Sequence, residues 1–172
     1  MKLLRSRFRP LVPLLLMAAC AATAGEPTTV LLVRHAEKAA KPADDPPLSR
    51  AGRKRAMALR EMVRGAGVDA ILATDRIRTQ QTVAPAAKLL GLEPKIVKMD
   101  DIDGMAAAIH ELEGQTVLVG SHGGDSIELI EKLGAGKLEP IEEHQYDNLF
   151  VVTVLGPGDA HVVRLKYGEP TP

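Results

Sequence analysis

Thr28 to Lys38 reads TTVLLVRHAEK. Its first six residues are β-branched or Leu with no polar alternation, the pattern of a strand buried on both faces of a sheet. The run ends at Arg34-His35, which therefore sit at the strand's C-terminal end or just beyond. The same form recurs at Thr116 to Gly120 (TVLVG), which leads to Ser121-His122, and more briefly at Asp69 to Ala73 (DAILA), which leads to Thr74-Asp75-Arg76.

Helical patterns fill the intervals. Ser49 suits an N-cap for a helix through about Arg64, with Ala56, Leu59, Met62 and Val63 as its apolar stripe and Gly65 and Gly67 as its stop. Thr74-Asp75 suits a cap for a second helix from about Arg76 to Leu90, closed by Gly91 and kinked at Pro85. Lys95 to Lys98 reads as a short strand, Gly104 to Leu112 as an Ala-rich helix, and Ser126 to Leu133 as a helix closed by Gly134. Ala39 to Pro47 (AAKPADDPP) is a loop. Asn148 to Leu155 and His161 to Lys166 flank Gly156-Pro157-Gly158-Asp159 as a hairpin. This order predicts an α/β three-layer sandwich: a mainly parallel sheet, a C-terminal antiparallel hairpin, and helices on both faces.

Residues 1–24 stand apart. Lys2, Arg5, Arg7 and Arg9 precede a short apolar stretch, Leu11 to Ala19. That stretch is too short to span a bilayer, which takes roughly 20 residues, and fits a signal peptide. Two cleavage positions fit. Ala22-Thr23-Ala24 would release a soluble exported protein beginning at Gly25. Met17-Ala18-Ala19-Cys20, similar to a lipobox with Met in place of Leu, would leave a lipid on Cys20. The expected location is the periplasm or, with the lipid, the membrane surface as a lipoprotein. Residues 25–172 then form one domain.

Cys20 is the sole cysteine, so the chain has no internal disulfide, and residues 25–172 hold no cysteine nucleophile. The full chain has 22 basic and 22 acidic residues. Without the four basic leader residues the balance is 18 to 22, which argues against nucleic-acid binding. With no Trp, two Phe and two Tyr there is no aromatic platform for stacking bases.

In an open α/β sheet, ligands bind beyond the C-terminal ends of the strands. One rim here collects His35, His122, Arg34 and the arginines of Arg76-Ile77-Arg78. Guanidinium forks match phosphate, and a neutral imidazole can attack phosphorus. A histidine at a strand end can equally be structural or solvated, so these residues taken singly leave both readings open.

Taken in order, the blocks resemble the histidine phosphatase superfamily, the phosphoglycerate-mutase-like group. LLVRHAEK (31–38) is similar to its Arg-His-Gly signature, with Ala36 for Gly. PLSRAGRKRAMAL (47–59) resembles the segment that follows. ATDRIRTQQTVAPAA (73–87) resembles the block with the second arginine, and VLVGSHGGDSIELIEKLG (117–134) the segment with the second histidine. YDNLFVVTV and VVRLKYG resemble the closing hairpin of short bacterial members. Gly120-Ser121-His122-Gly123-Gly124 departs from the usual G-H-S order and lacks the Asn that often follows.

The resemblance implies His35 as phosphoryl acceptor, Arg34 and Arg78 as phosphate-binding arginines, and His122 as a hydrogen-bond donor to phosphate. Arg76 is the alternative to Arg78. It also implies backbone N–H groups of Gly123 and Gly124 near the anion. No cofactor or metal is implied. The proton donor stays open among Asp100, Asp101, Asp103, Asp125 and Glu37. With only a short segment at 98–114, the pocket is expected to be open, suiting a small phosphorylated substrate or a phosphoprotein. The activity implied is phosphomonoester hydrolysis through a phosphohistidine. The alternative is a non-catalytic phosphate- or phosphoprotein-binding module of the same fold. A metal site from His35, Glu37 and His122 is disfavoured by the adjoining arginine and by the spacing.

Overall fold

The structure is a computed structural model that describes residues 25–171. The leader with both cleavage positions, and Cys20 with them, lies outside the described residues. The strands are β1 (Thr28–Arg34), β2 (Ala70–Thr74), β3 (Lys95–Val97), β4 (Thr116–Ser121), β5 (Asn148–Gly156) and β6 (Asp159–Lys166). The helices are α1 (Arg50–Val63), α2 (Ile77–Leu90), α3 (Ile102–His110) and α4 (Gly123–Lys132). Among the described residues no helix is long and apolar enough to cross a membrane.

The sheet runs β3-β2-β4-β1-β5-β6. β1 to β4 are mutually parallel, while β5 pairs antiparallel with both β1 and β6. The expected three layers follow from the strand order. The connections through α1 and α2 both step toward the β3 edge, and the connection through α3 steps back. Right-handed crossovers therefore put α1 and α2 on one face and α3 on the other. The two cores agree, because successive strand residues point to opposite faces. Leu31 and Val33 pack with Leu59 and Val63 of α1 and with Val83 and Ala86 of α2. Val30 and Leu32 pack with Met105 and Ile109 of α3 and with Leu129 and Ile130 of α4. α1 and α4 thus leave adjacent strands for opposite faces, and the crevice between the C-terminal ends of β1 and β4 is the switch point where such sheets bind ligands.

Four expectations change in detail. Met62 is 43% exposed and falls outside the buried stripe of α1, which is Gly52, Arg55, Ala56, Leu59 and Val63. α2 spans Ile77–Leu90 with Pro85 inside it, as expected, but its first turn is not capped by Thr74 or Asp75. Thr74 ends β2, and the Asp75 carboxylate accepts from Met99 N–H. The cap comes instead from Asp45 in the loop, whose carboxylate accepts from Ile77 N–H at 3.1 Å. α3 begins at Ile102 because Asp101 caps it by accepting from Gly104 N–H at 2.8 Å. α4 starts at Gly123 rather than Ser126, with both glycines in its first turn, where their helix penalty matters least. Ser49 caps α1 as expected, accepting from Gly52 N–H. Gly52 has no room for a side chain, since a Cβ would lie 2.2 Å from the Glu37 carbonyl oxygen. That contact seats the start of α1 against the chain just past His35.

Candidate active site

β1 and β4 run in register to their ends, with Arg34 opposite Ser121. His35 N–H donates to the Ser121 carbonyl at 2.8 Å, which extends the pairing one residue and fixes the His35 backbone beside His122. The two imidazoles meet edge to face with centroids 5.2 Å apart. Both are buried, as is Arg34.

The hydrogen-bond partners decide the tautomers. His35 Nδ1 lies 2.8 Å from the Ala36 carbonyl oxygen, which can only accept. Nδ1 therefore carries the proton and Nε2 keeps its lone pair. His122 is wired the other way. Its Nε2 lies 3.0 Å from Thr74 Oγ1, and its Nδ1 lies 3.4 Å from Nη2 of Arg78, which can only donate. Thr79 Oγ1 gives its proton to a carbonyl, Arg76 at 2.7 Å or Thr74 at 3.0 Å, so it accepts from the Thr74 hydroxyl at 2.7 Å. Thr74 then accepts from His122 Nε2–H. In this neutral form His122 turns a bare Nδ1 toward Arg78. To donate to a phosphate it must gain a proton there, which a bound dianion favours.

Burial is the main reason both histidines stay neutral. It pushes His35 down to about 3, opposed by the Ala36 hydrogen bond and helped by His122, Arg34 and Arg78. It pushes His122 down to about 4, helped by Arg78, Arg76 and Arg34 and opposed by Asp75. A neutral His35 with an exposed lone pair on Nε2 has the form a nucleophile needs.

The arginines are held from behind. Nη1 of Arg34 donates to the carbonyls of Glu142, Glu143 and Gln145 at 3.0, 2.9 and 3.2 Å. Its guanidinium carbon lies 4.4 Å from the Tyr146 ring centroid. Nη1 of Arg78 pairs with Asp45 at 3.4 Å. Among the described residues the Nε–H of each arginine is buried without a partner. An unmet buried charged donor is costly, and two of them beside two imidazoles give the cluster the chemistry to take an anion. α4 adds its positive end, because His122 stands at its N-cap with no side-chain cap bond. A Cβ on Gly123 would reach to 3.6 Å from Arg34 Nε, against the N–H left unpaired. Nothing lies within 4 Å of a Cβ on Gly124, so packing does not demand glycine there.

Arg34, His35, Arg78, His122 and Gly123 thus come together from three strand ends. Arg76 stands at the N-cap of α2 with its Nε toward Met99 Sδ, close enough to influence His122 but turned from the cluster. Several of the open carboxylates have other work. Asp101 caps α3, Asp103 pairs with Lys132, and Glu37 forms a two-point pair with the buried Arg55. Glu37 therefore does not join the two histidines. Among the described residues no group of three or more His, Cys, Asp or Glu could hold a metal ion. Asp125, in the first turn of α4, has its carboxyl raised by burial and by the nearby Asp100. Asp45, Thr74, Thr79 and Tyr146 were not singled out for the site from sequence. Thr74 carried a visible signal as a hydroxyl at a strand end, but it equally suited a helix cap.

The family model described as histidine phosphatase superfamily (branch 1) matches residues 30–107. No curated protein matches the chain. Solved structures do. The protein histidine phosphatase SixA complexed with tungstate matches with a TM-score of 0.70 at 20% identity, over 80% of this chain and 96% of that one. A SixA from Nakamurella multipartitia matches at 0.62 and 21% identity, over 86% and 98%. A mycobacterial glucosyl-3-phosphoglycerate phosphatase matches at 0.62 and 14% identity, over 74% and 91%. These likenesses carry the fold. The family-model match runs across β1, α1, β2, α2 and β3 into α3, and the fold is the one these phosphatases share.

Proposed function

We propose that the protein is a metal-independent phosphomonoester hydrolase working through a phosphohistidine on His35. The observation that carries this reading is the pair of buried, unpartnered Nε–H groups of Arg34 and Arg78 flanking an imidazole whose free nitrogen is Nε2. The phosphoryl group binds between the two guanidinium groups. The Nε2 lone pair attacks phosphorus, and the phosphorus–oxygen bond breaks with its electrons leaving on the ester oxygen. Arg34 and Arg78 balance the charge on the equatorial oxygens, and His122, once protonated on Nδ1, donates to one of them. Water then attacks phosphorus. The phosphorus–nitrogen bond breaks, its electrons return to Nε2, and inorganic phosphate leaves.

The substrate side is open. Only residues 98–101 separate β3 from α3, so no inserted helix covers the rim there. That favours a small phosphomonoester or a phosphorylated protein side chain, and the likeness to a protein histidine phosphatase supports including the latter. We further propose export, with residues 1–24 as the signal. Mass spectrometry of the mature N-terminus distinguishes Gly25 from a lipidated Cys20.

His35→Ala is the decisive variant. On an aryl phosphate, without added metal, the wild type is expected to release phosphate and His35→Ala to lose at least about a hundredfold in kcat. Equal turnover in the variant contradicts the reading. Phosphate binding by the wild type without release would make the protein a phosphate-binding module instead.

A further inference from the structure

The chain after β6, from Tyr167 to Thr171, carries none of the candidate residues, yet hydrogen bonds lead from it to both sides of Arg34-His35. One route is through Arg55, whose Nη1 donates to the Tyr167 carbonyl at 3.0 Å while Nε and Nη2 grip Glu37, two residues past His35. The other route runs through Asp147. The Thr171 hydroxyl donates to Asp147 Oδ1 at 2.7 Å and its N–H donates to Oδ2 at 3.2 Å. Tyr146 N–H donates back to Thr171 Oγ1 at 3.3 Å. Tyr146 lies against the Arg34 guanidinium, and the carbonyls just before it hold Arg34 Nη1.

The segment between α4 and β5 has no regular secondary structure of its own. Among the described residues its carbonyls are the only hydrogen-bond partners of the Arg34 side chain. Wherever this segment sits, the guanidinium follows. The segment is tied down at its end by Asp147, which is buried and ionised. Burial opposes that charge, but hydrogen bonds from Lys166 and Thr171 outweigh it and hold the carboxyl down at about 2. We infer that Thr171 is a positioning residue for Arg34: with Asp147 it straps the Tyr146 segment in place and so aims the phosphate-binding arginine. The inference rests on Arg34 serving as a phosphate ligand.

Thr171→Val keeps the shape and removes the hydroxyl, and Thr171→Ser restores it. In the whole protein, inorganic phosphate affinity and aryl phosphate kinetics are measured beside the melting temperature. Thr171→Val is expected to weaken phosphate binding roughly three- to tenfold, the scale of one or two lost hydrogen bonds. KM should rise with it, and Thr171→Ser should stay within twofold of the wild type. A folded Thr171→Val with unchanged phosphate affinity overturns the inference. So does an equal loss in Thr171→Ser, because the effect would then belong to the methyl group. If Thr171→Val does not fold, Lys166→Gln removes an exposed partner of the same carboxylate. It should shift phosphate affinity in the same direction, and no shift overturns the inference. A wild type that fails to bind phosphate at all counts against the proposed function, not against the strap alone.

Discussion

At the scale of single residues, the two histidines differ chiefly in which nitrogen is held. His35 spends Nδ1–H on its own neighbour's carbonyl and leaves Nε2 free. His122 spends Nε2–H on Thr74 and turns Nδ1 to Arg78. The second arrangement uses two buried threonines: Thr74 accepts from His122, and Thr79 accepts from the Thr74 hydroxyl. Thr74→Val keeps the volume but leaves His122 Nε2–H without an acceptor, an unmet buried group costing roughly 1–3 kcal/mol. Either the ring reorients or the tautomer changes, and the pocket loses its aligned second imidazole. We expect about a tenfold fall in kcat/KM on an aryl phosphate, with Thr74→Ser near wild type. Nitrogen-15 spectra of the wild type should find the His122 proton on Nε2. A proton on Nδ1 in the empty site would contradict the wiring.

At the scale of elements, α2 delivers Arg78 from its second residue, so the start of that helix sets where the arginine lies. The N-cap residue, Arg76, has no side-chain cap bond, and Asp45 supplies the missing acceptor from 32 residues earlier. Asp45 holds a positive φ of 46°, which Asp tolerates better than most residues. Asp45→Ala removes both the cap and the ion pair to Arg78. The expected cost is about 1 kcal/mol, or roughly 2–4 °C in melting temperature. Asp45→Asn, which keeps an acceptor, should lose less. Calorimetry of the two variants checks the order, and equal losses would assign the effect to the charge instead. These contacts also mark what the sequence could reveal. The buried runs TTVLLV and TVLVG announced parallel strands, and the histidines at their ends announced the site, because strand periodicity and the switch-point rule are local or topological. Asp45 and Tyr146 stayed hidden because both sit in segments with no period, and their partners lie 32 and 112 residues away in sequence. The three carbonyls that hold Arg34 leave no trace in side-chain identity at all.

At the scale of the whole molecule, the fold buries two imidazoles among arginines, and that arrangement has a consequence for stability. The histidines are ordinary near 6.5 when unfolded and are pushed to about 3 for His35 and about 4 for His122 in the fold. Above 6.5 both states hold them neutral, so they add no pH dependence. Below 6.5 the unfolded chain takes up protons that the folded chain refuses, and stability falls with falling pH. Each histidine contributes up to about 1.4 kcal/mol per pH unit. The fall ends near 4 for His122 and near 3 for His35, where the folded protein is protonated as well. In phosphate-free buffer the wild type should therefore lose stability steadily from pH 6.5 to 4, beyond what its carboxylates cause. His122→Gln keeps a polar side chain that does not titrate, and should flatten the slope over that window by up to about 1.4 kcal/mol per unit. Denaturant midpoints at half-unit steps measure both slopes. Parallel slopes would mean that His122 is as readily protonated in the fold as out of it, which a buried imidazole beside three arginines cannot be.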